Sequence, residues 1–184
     1  KDKAIVGDKA LEASITEPNK VAKRAKLKME DEVVFSTKEG GWIEGKKGYT
    51  PSQVSSLILS KLKDYTSGVK KAVITVPAKF AEASRAATLD AAKLAGLDAE
   101  LINEPTAAVL HYANLPGVKI SGRVLVFDLG GGTFDITIAK VKDKKVEVIT
   151  SRGDKHLGGE DFDQELIKII DKKYKKAKGK GLDV

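Results

Sequence analysis

Val124–Thr137 reads VLVFDLGGGTFDIT: an apolar run ending on Asp128, three glycines, Thr133, and a second run that carries Asp135. The composition predicts a buried strand that delivers Asp128, a glycine loop, and a second strand that carries Asp135. Gly130, Gly131 and Gly132 let backbone N–H groups approach an anion without side-chain obstruction, which is the chemistry of a phosphate site. The Thr133 hydroxyl can add a donor or touch a metal-bound water. A carboxylate at a strand end, Asp128, suits a hydrated Mg2+. The alternative is an ordinary glycine-rich hairpin, which three adjacent glycines would weaken for no gain. An Asp closing an apolar strand is also costly if it is buried alone. No Gly-Lys-Ser/Thr follows and the loop returns into a strand, so this is not a Walker loop.

Working outward, three β segments are expected in succession, at Arg123–Phe127, Phe134–Val141 and Val146–Thr150, with no helix between them. That order argues for hairpin pairing. A helix from about Glu160 to Lys176 follows, with Phe162, Leu166, Ile169 and Ile170 on one side. Upstream, NLPGVKISG (Asn114–Gly122) is the best candidate boundary, giving two parts, 1–120 and 121–184. Before it, Pro105–Tyr112 reads as a helix and Leu101–Ile102 as a short strand. Phe80–Ala95 reads as a helix capped by Gly96, and Ala72–Val76 as a buried-type strand stopped by Pro77. Thr50 and Pro51 form a helix start, after which Val54, Leu57, Ile58 and Leu62 make one apolar stripe. Val33–Phe35 and Trp42–Ile43 look like strands around Gly40-Gly41. The first stretch reads helical, with Pro18 opening a helical turn after Glu17. Strands alternating with helices imply an α/β fold, a mixed sheet with helices packed against it.

Two further stretches carry candidate chemistry. In HLGGEDFD (His156–Asp163), Gly158 and Gly159 precede a helix whose N-terminus could attract a phosphate. Glu160 and Asp161 there could equally complement the helix dipole with no further role. In NEPTAA (Asn103–Ala108), Glu104 sits between a strand and a Pro-started helix. It could position an attacking water or simply serve the first helical turn.

The bulk numbers limit the classes. The 184 residues hold 33 Lys+Arg and 26 Asp+Glu, a net +7, and no Cys. A disulfide scaffold and a thiolate zinc site are therefore excluded. No apolar run approaches the ~18 residues of a membrane span, and no signal-peptide pattern opens the chain. The excess charge lies in Lys20–Lys28, Lys140–Lys145 and Asp171–Val184. A nucleic-acid binder would look similar in bulk, but aromatics are only 5% and no stacking platform adjoins the basic runs. Solvated faces are the simpler reading, and nucleic acid and membrane are not expected partners. The chain opens on Lys1 and its only Met is Met29, which reads as a fragment.

Taken together, AVITVPAKF, INEPTAAVLHY, VFDLGGGTFDI and GDKHLGGEDFD resemble, in order and near-correct spacing, the nucleotide-binding domain of DnaK-type, seventy-kilodalton heat-shock chaperones. The resemblance runs from IVGDKA to about Tyr174. It implies an incomplete actin-like (ribonuclease-H-like) ATPase fold. Residues 1–120 would belong to lobe I and 121–184 to the start of lobe II, with a nucleotide cleft between the lobes. It implies ATP/ADP and Mg2+ as ligands, with K+ as a monovalent cation. It also implies a cytoplasmic chaperone of the stress response that couples ATP hydrolysis to the grip of a C-terminal domain on unfolded polypeptide. Nucleotide-exchange factors would be its partners.

Residue by residue, Gly130, Gly131, Gly132 and Thr133 match the family's second phosphate loop. Asp128 matches the carboxylate near Mg2+, and Asp135 one associated with a monovalent cation. Glu104 matches the glutamate near the attacking water, and Gly158 and Gly159 a further loop near the phosphates. Counting on from Thr16-Glu17-Pro18, Lys26 falls at the family's cleft lysine, with Lys28 the alternative. Pro77 and Arg85 match a proline and an arginine that relay nucleotide state.

The departures are as informative. The N-terminal phosphate hairpin and the later adenosine segment are absent, so the 184 residues alone should be weak or inactive. Lys79 stands where the family usually has Tyr, and the Gly96–Asn103 spacing is one residue short. The hairpin KVKDKKV (140–146) is basic where the family is often acidic, which puts docking of a basic J-domain helix in doubt. The competing classes are a kinase of the same fold superfamily and a non-catalytic regulatory homologue.

Overall fold

Helices and strands alternate along the chain as their residue patterns require. The computed structural model describes residues 4–143, 145–154 and 156–182. Lys1–Lys3 at the start, Lys144 in the basic hairpin, Lys155 in GDKHLGGEDFD, and Asp183 and Val184 lie outside the described residues. The order is α1 (Asp8–Thr16), 3-10 turns at Pro18–Lys20 and Ala25–Lys28, β1 (Val33–Ser36), β2 (Gly41–Glu44), α2 (Pro51–Asp64), β3 (Lys71–Val76), α3 (Glu82–Leu94), β4 (Asp98–Asn103), α4 (Glu104–Ala113), β5 (Gly122–Leu129), β6 (Phe134–Lys142), β7 (Lys145–Asp154) and α5 (Gly159–Lys178). Two compact units result. One holds residues up to Val76 with Phe80–Glu104, and the other holds Pro77–Lys79 with the residues from Pro105 onward.

In the first unit, β1 and β2 form an antiparallel hairpin. Its Phe35 joins Ala25 and Val54 in a buried cluster, with Ala22 and Trp42 packed against it. Trp42 meets Phe35 edge-on at 5.6 Å. α2 starts on a full capping box: Thr50 Oγ1 accepts from Gln53 N–H at 3.2 Å, and Gln53 Oε1 accepts from Thr50 N–H at 2.9 Å. Thr50 and Pro51 announce this start in the sequence, and Gln53 completes it reciprocally. Thr50→Ala is expected to lower stability by about 1 kcal/mol, read as a shift in the urea midpoint at unchanged slope. β3 and β4 pair in parallel, as they must with a helical crossover, α3, between them. Gly96 ends that crossover at φ 68°. Lys63 donates to the carbonyls of Ala95 and Gly96 at 3.2 and 2.8 Å, which complements the helix's negative end.

In the second unit, β5, β6 and β7 form an antiparallel meander in that order, as successive strands without intervening helices require. Thr137 is almost fully buried and shares a 2.9 Å hydroxyl contact with Ser151, so its polar atom is satisfied.

Three expectations are corrected. Instead of one mixed sheet, the described residues make three separate sheets. Connection length sets hairpin or crossover pairing between neighbours in sequence, but it does not join one pair to the next. Neither Ala72–Val76 nor the strand that delivers Asp128 is buried as expected: Val76 is 1% exposed but Val73 is 67%, and Leu125 and Phe127 of β5 are 65% and 62% exposed. The stripes on α2 and α5 are amphipathic as read, yet only Val54 of the first is buried, and Phe162, Leu166, Ile169 and Ile170 of the second are all exposed. Periodicity identifies an apolar face without saying what covers it. Among the described residues no helix is long and apolar enough to cross a membrane.

Candidate functional site

In the first unit, the placement of Lys26 begins with packing. The Trp42 indole N–H donates to the Lys23 carbonyl at 2.8 Å, Arg24 turns the chain at φ 61°, and Ala25 is buried in the cluster with Phe35 and Val54. The next side chain, Lys26, is thereby aimed away from the core. Its Nζ lies 2.6 Å from Glu104 Oε1, across 78 residues of sequence. Lys28 instead pairs locally with Asp31 at 3.0 Å.

Glu104 is held from its own side. β4 ends at Asn103, in register with Val76 of β3, and α4 begins at Glu104. Arg85 on α3 donates through Nη2 to Asn103 Oδ1 at 2.8 Å and through Nε to the Phe80 carbonyl at 3.1 Å. Arg85 therefore braces the strand end that presents Glu104. No sequence signal had singled out Asn103 for this, because its partner comes from a different element.

In the second unit, Asp128 of β5 and Asp135 of β6 are register partners. They share a face of the sheet because strand side chains alternate. The loop between them is closed by Gly130 N–H donating to the Thr133 carbonyl at 2.8 Å. Gly158 is packed against this loop. An added Cβ there would lie 2.4 Å from Gly132 N and 2.5 Å from Gly131 C and O, all backbone atoms. The α5 N-terminus is bound to the same loop: Gly159 N–H donates to the Gly130 carbonyl at 3.0 Å and Glu160 N–H to the Gly131 carbonyl at 2.8 Å. Asp161 Oδ2 accepts from Gly158 N–H at 2.8 Å, so this acid is a cap. The first amides of α5 thus hold the loop. Its own Gly131 has open space on the Cβ side, with nothing within 4 Å.

The residues fit the groups that the sequence implies. The open Cβ side of Gly131, with nothing within 4 Å, leaves room for an anion at the glycine loop. Two carboxylates placed directly opposite are unfavourable alone and favoured by a cation. Pro77 falls in the second unit and Arg85 in the first.

The Hsp70 protein family model matches residues 3–184 of this chain. Among curated relatives, chaperone protein DnaK of Ureaplasma urealyticum serovar 10 is 45% identical over 162 residues, covering 85% of this chain and 26% of the relative. Chaperone protein DnaK of Ureaplasma parvum serovar 3 is 43% identical over 162 residues, covering 85% and 25%. The chain therefore spans about a quarter of the length of these relatives.

Proposed function

As the chain belongs to the Hsp70 family, we propose that it is part of the nucleotide-binding domain of a chaperone that hydrolyses ATP and couples nucleotide state to its grip on unfolded polypeptide. The observation that carries this reading is the 2.6 Å pair of Lys26 with Glu104, two residues assigned adjacent roles from separate motifs. Lys26 offsets charge on the transferring phosphoryl group, and Glu104 orients the attacking water. The amides of Gly131 and Gly132 and the Thr133 hydroxyl hold phosphate oxygens, with Gly130 closing the loop. Gly158 and Gly159 brace it from behind. Asp128 would hold hydrated Mg2+ and Asp135 a monovalent cation such as K+. When bound, Mg2+ neutralises phosphate charge. Pro77 and Arg85 relay nucleotide state, Arg85 through its bond to Asn103. We assign residues 1–120 to lobe I and 121–184 to lobe II, and the protein to the cytoplasm.

Exposed Lys140, Lys142 and Lys145 would repel a basic J-domain helix. A nucleotide-exchange factor remains a fitting partner. The test uses the full-length protein, titrated with Mg-ATP by calorimetry and assayed for phosphate release with and without an unfolded polypeptide. Micromolar binding and polypeptide-stimulated release to water are expected. Transfer to a small-molecule acceptor, or no binding, overturns the proposal. The 184 residues alone are expected to bind Mg-ATP only weakly.

A further inference from the structure

The β6–β7 hairpin gathers cations at its turn end. Arg123 of β5 is the register partner of Lys140 of β6, and Lys142 of β6 is the register partner of Lys145 of β7. Side chains two apart on a strand share a face, so these two rungs lie on one face of the sheet. All four residues are exposed. The one acid on the two rungs is Glu147, opposite Lys140, so four cations and one acid leave a net +3 there. Asp143 stands in the turn at φ 50°. Among the described residues, neither Glu147 nor any of the four cations is in an ion pair. Like charges set directly opposite in a sheet are destabilising, and here two such rungs follow each other with no internal counter-charge bound. Rung neighbours stand roughly 5 Å apart and alternate residues roughly 7 Å apart. Carboxylates three and four positions apart on a helix are roughly 5–6 Å apart, which matches this array. No aromatic residue lies on the two rungs, so nothing there stacks a nucleic-acid base.

We propose that this end of the sheet is a docking surface for an acidic helix of a partner protein. Carboxylates seated on Arg123, Lys140, Lys142 and Lys145 meet their charge and relieve the repulsion within each rung. The same array rejects a basic helix, so it selects its partner by sign. β6 runs from Phe134 to Lys142, which places the surface at the end of the strand away from the glycine loop. A docked helix therefore leaves that loop free.

The experiment measures fluorescence anisotropy of three labelled Ala-rich helical peptides of one length against the full-length protein. They carry Glu, Gln or Lys at positions i, i+4 and i+7. Wild type should bind the Glu peptide at least about tenfold more tightly than the Gln peptide and reject the Lys peptide, and added salt should shrink the difference. Lys140→Glu combined with Lys142→Glu and Lys145→Glu should invert the order, with the Lys peptide bound best. Lys172→Glu combined with Lys173→Glu and Lys176→Glu makes the same change in net charge on α5, and should keep the wild-type order. Melting temperature and basal Mg-ATP turnover should stay near wild type in both variants. An unchanged order in the hairpin variant, or the same inversion in the α5 variant, overturns the proposal. So does tighter binding of duplex DNA or of phosphatidylserine vesicles than of the Glu peptide. If the hairpin variant does not fold, Arg123→Gln combined with Lys142→Gln removes one cation from each rung. The Glu peptide should then bind at least about threefold more weakly, and undiminished binding overturns the proposal.

Discussion

Lys26→Ala in the full-length protein is expected to lower the turnover of Mg-ATP roughly a hundredfold or more, the usual cost of removing one preorganised charge partner of a transition state. Mg-ATP affinity should change far less. Lost stability cannot account for such a drop. The Lys26 side chain is 52% exposed, and exposed ion pairs contribute only about 0–1 kcal/mol. Glu104→Ala should show a comparable loss, because Arg85 and Asn103 would still hold the strand end in place. The double variant should lose much less than the product of the two single losses, since residues that act as a unit are non-additive. Single-turnover phosphate release measures all three. Normal turnover in both single variants would remove Lys26 and Glu104 from the chemistry. Lys28→Ala is the control. Its partner is Asp31 on the same turn, and its turnover should remain near wild type.

The second large effect is expected at Gly158. Its missing Cβ leaves room for the backbone of Gly131 and Gly132 at 2.4–2.5 Å, and backbone cannot rotate away as a flexible side chain can. Gly158→Ala must push the glycine loop and the α5 N-terminus apart, breaking the bonds from Gly159 and Glu160 to the loop carbonyls. Overpacking of this kind costs about 1–3 kcal/mol, and the displaced loop should bind Mg-ATP at least about tenfold more weakly, since affinity follows the loop's preorganisation. Gly131→Ala separates packing from binding. Nothing lies within 4 Å of its added methyl, so stability should hold while nucleotide affinity falls. Calorimetric titration and thermal melting of both variants give the contrast. Equal affinity in Gly131→Ala and wild type would place the phosphate elsewhere.

Much of the local structure was legible because its causes are local. Thr50-Pro51 started α2, Gly96 ended the α3 crossover, and the two apolar runs around Gly130–Gly132 became β5 and β6. Where a cause lay in another element, legibility stopped. Asn103 gave no sign that it would receive Arg85. The exposed stripes on α2 and α5 show the same limit, since their spacing is fully helical and their burial is not.

By itself the sequence determined the order and kind of the elements, the family, and the glycine and carboxylate positions that make a candidate phosphate site. Propensity, capping, glycine freedom and motif order act over a few neighbouring residues, and so can be read from a string. Only the tertiary structure decided which lysine meets Glu104, that the α5 amides hold the loop rather than stand open, and that Arg85 braces Asn103. These are contacts across tens of residues, fixed by strand register and by the packing of Ala25, Phe35 and Val54. Such distances exist only once the chain has closed on itself.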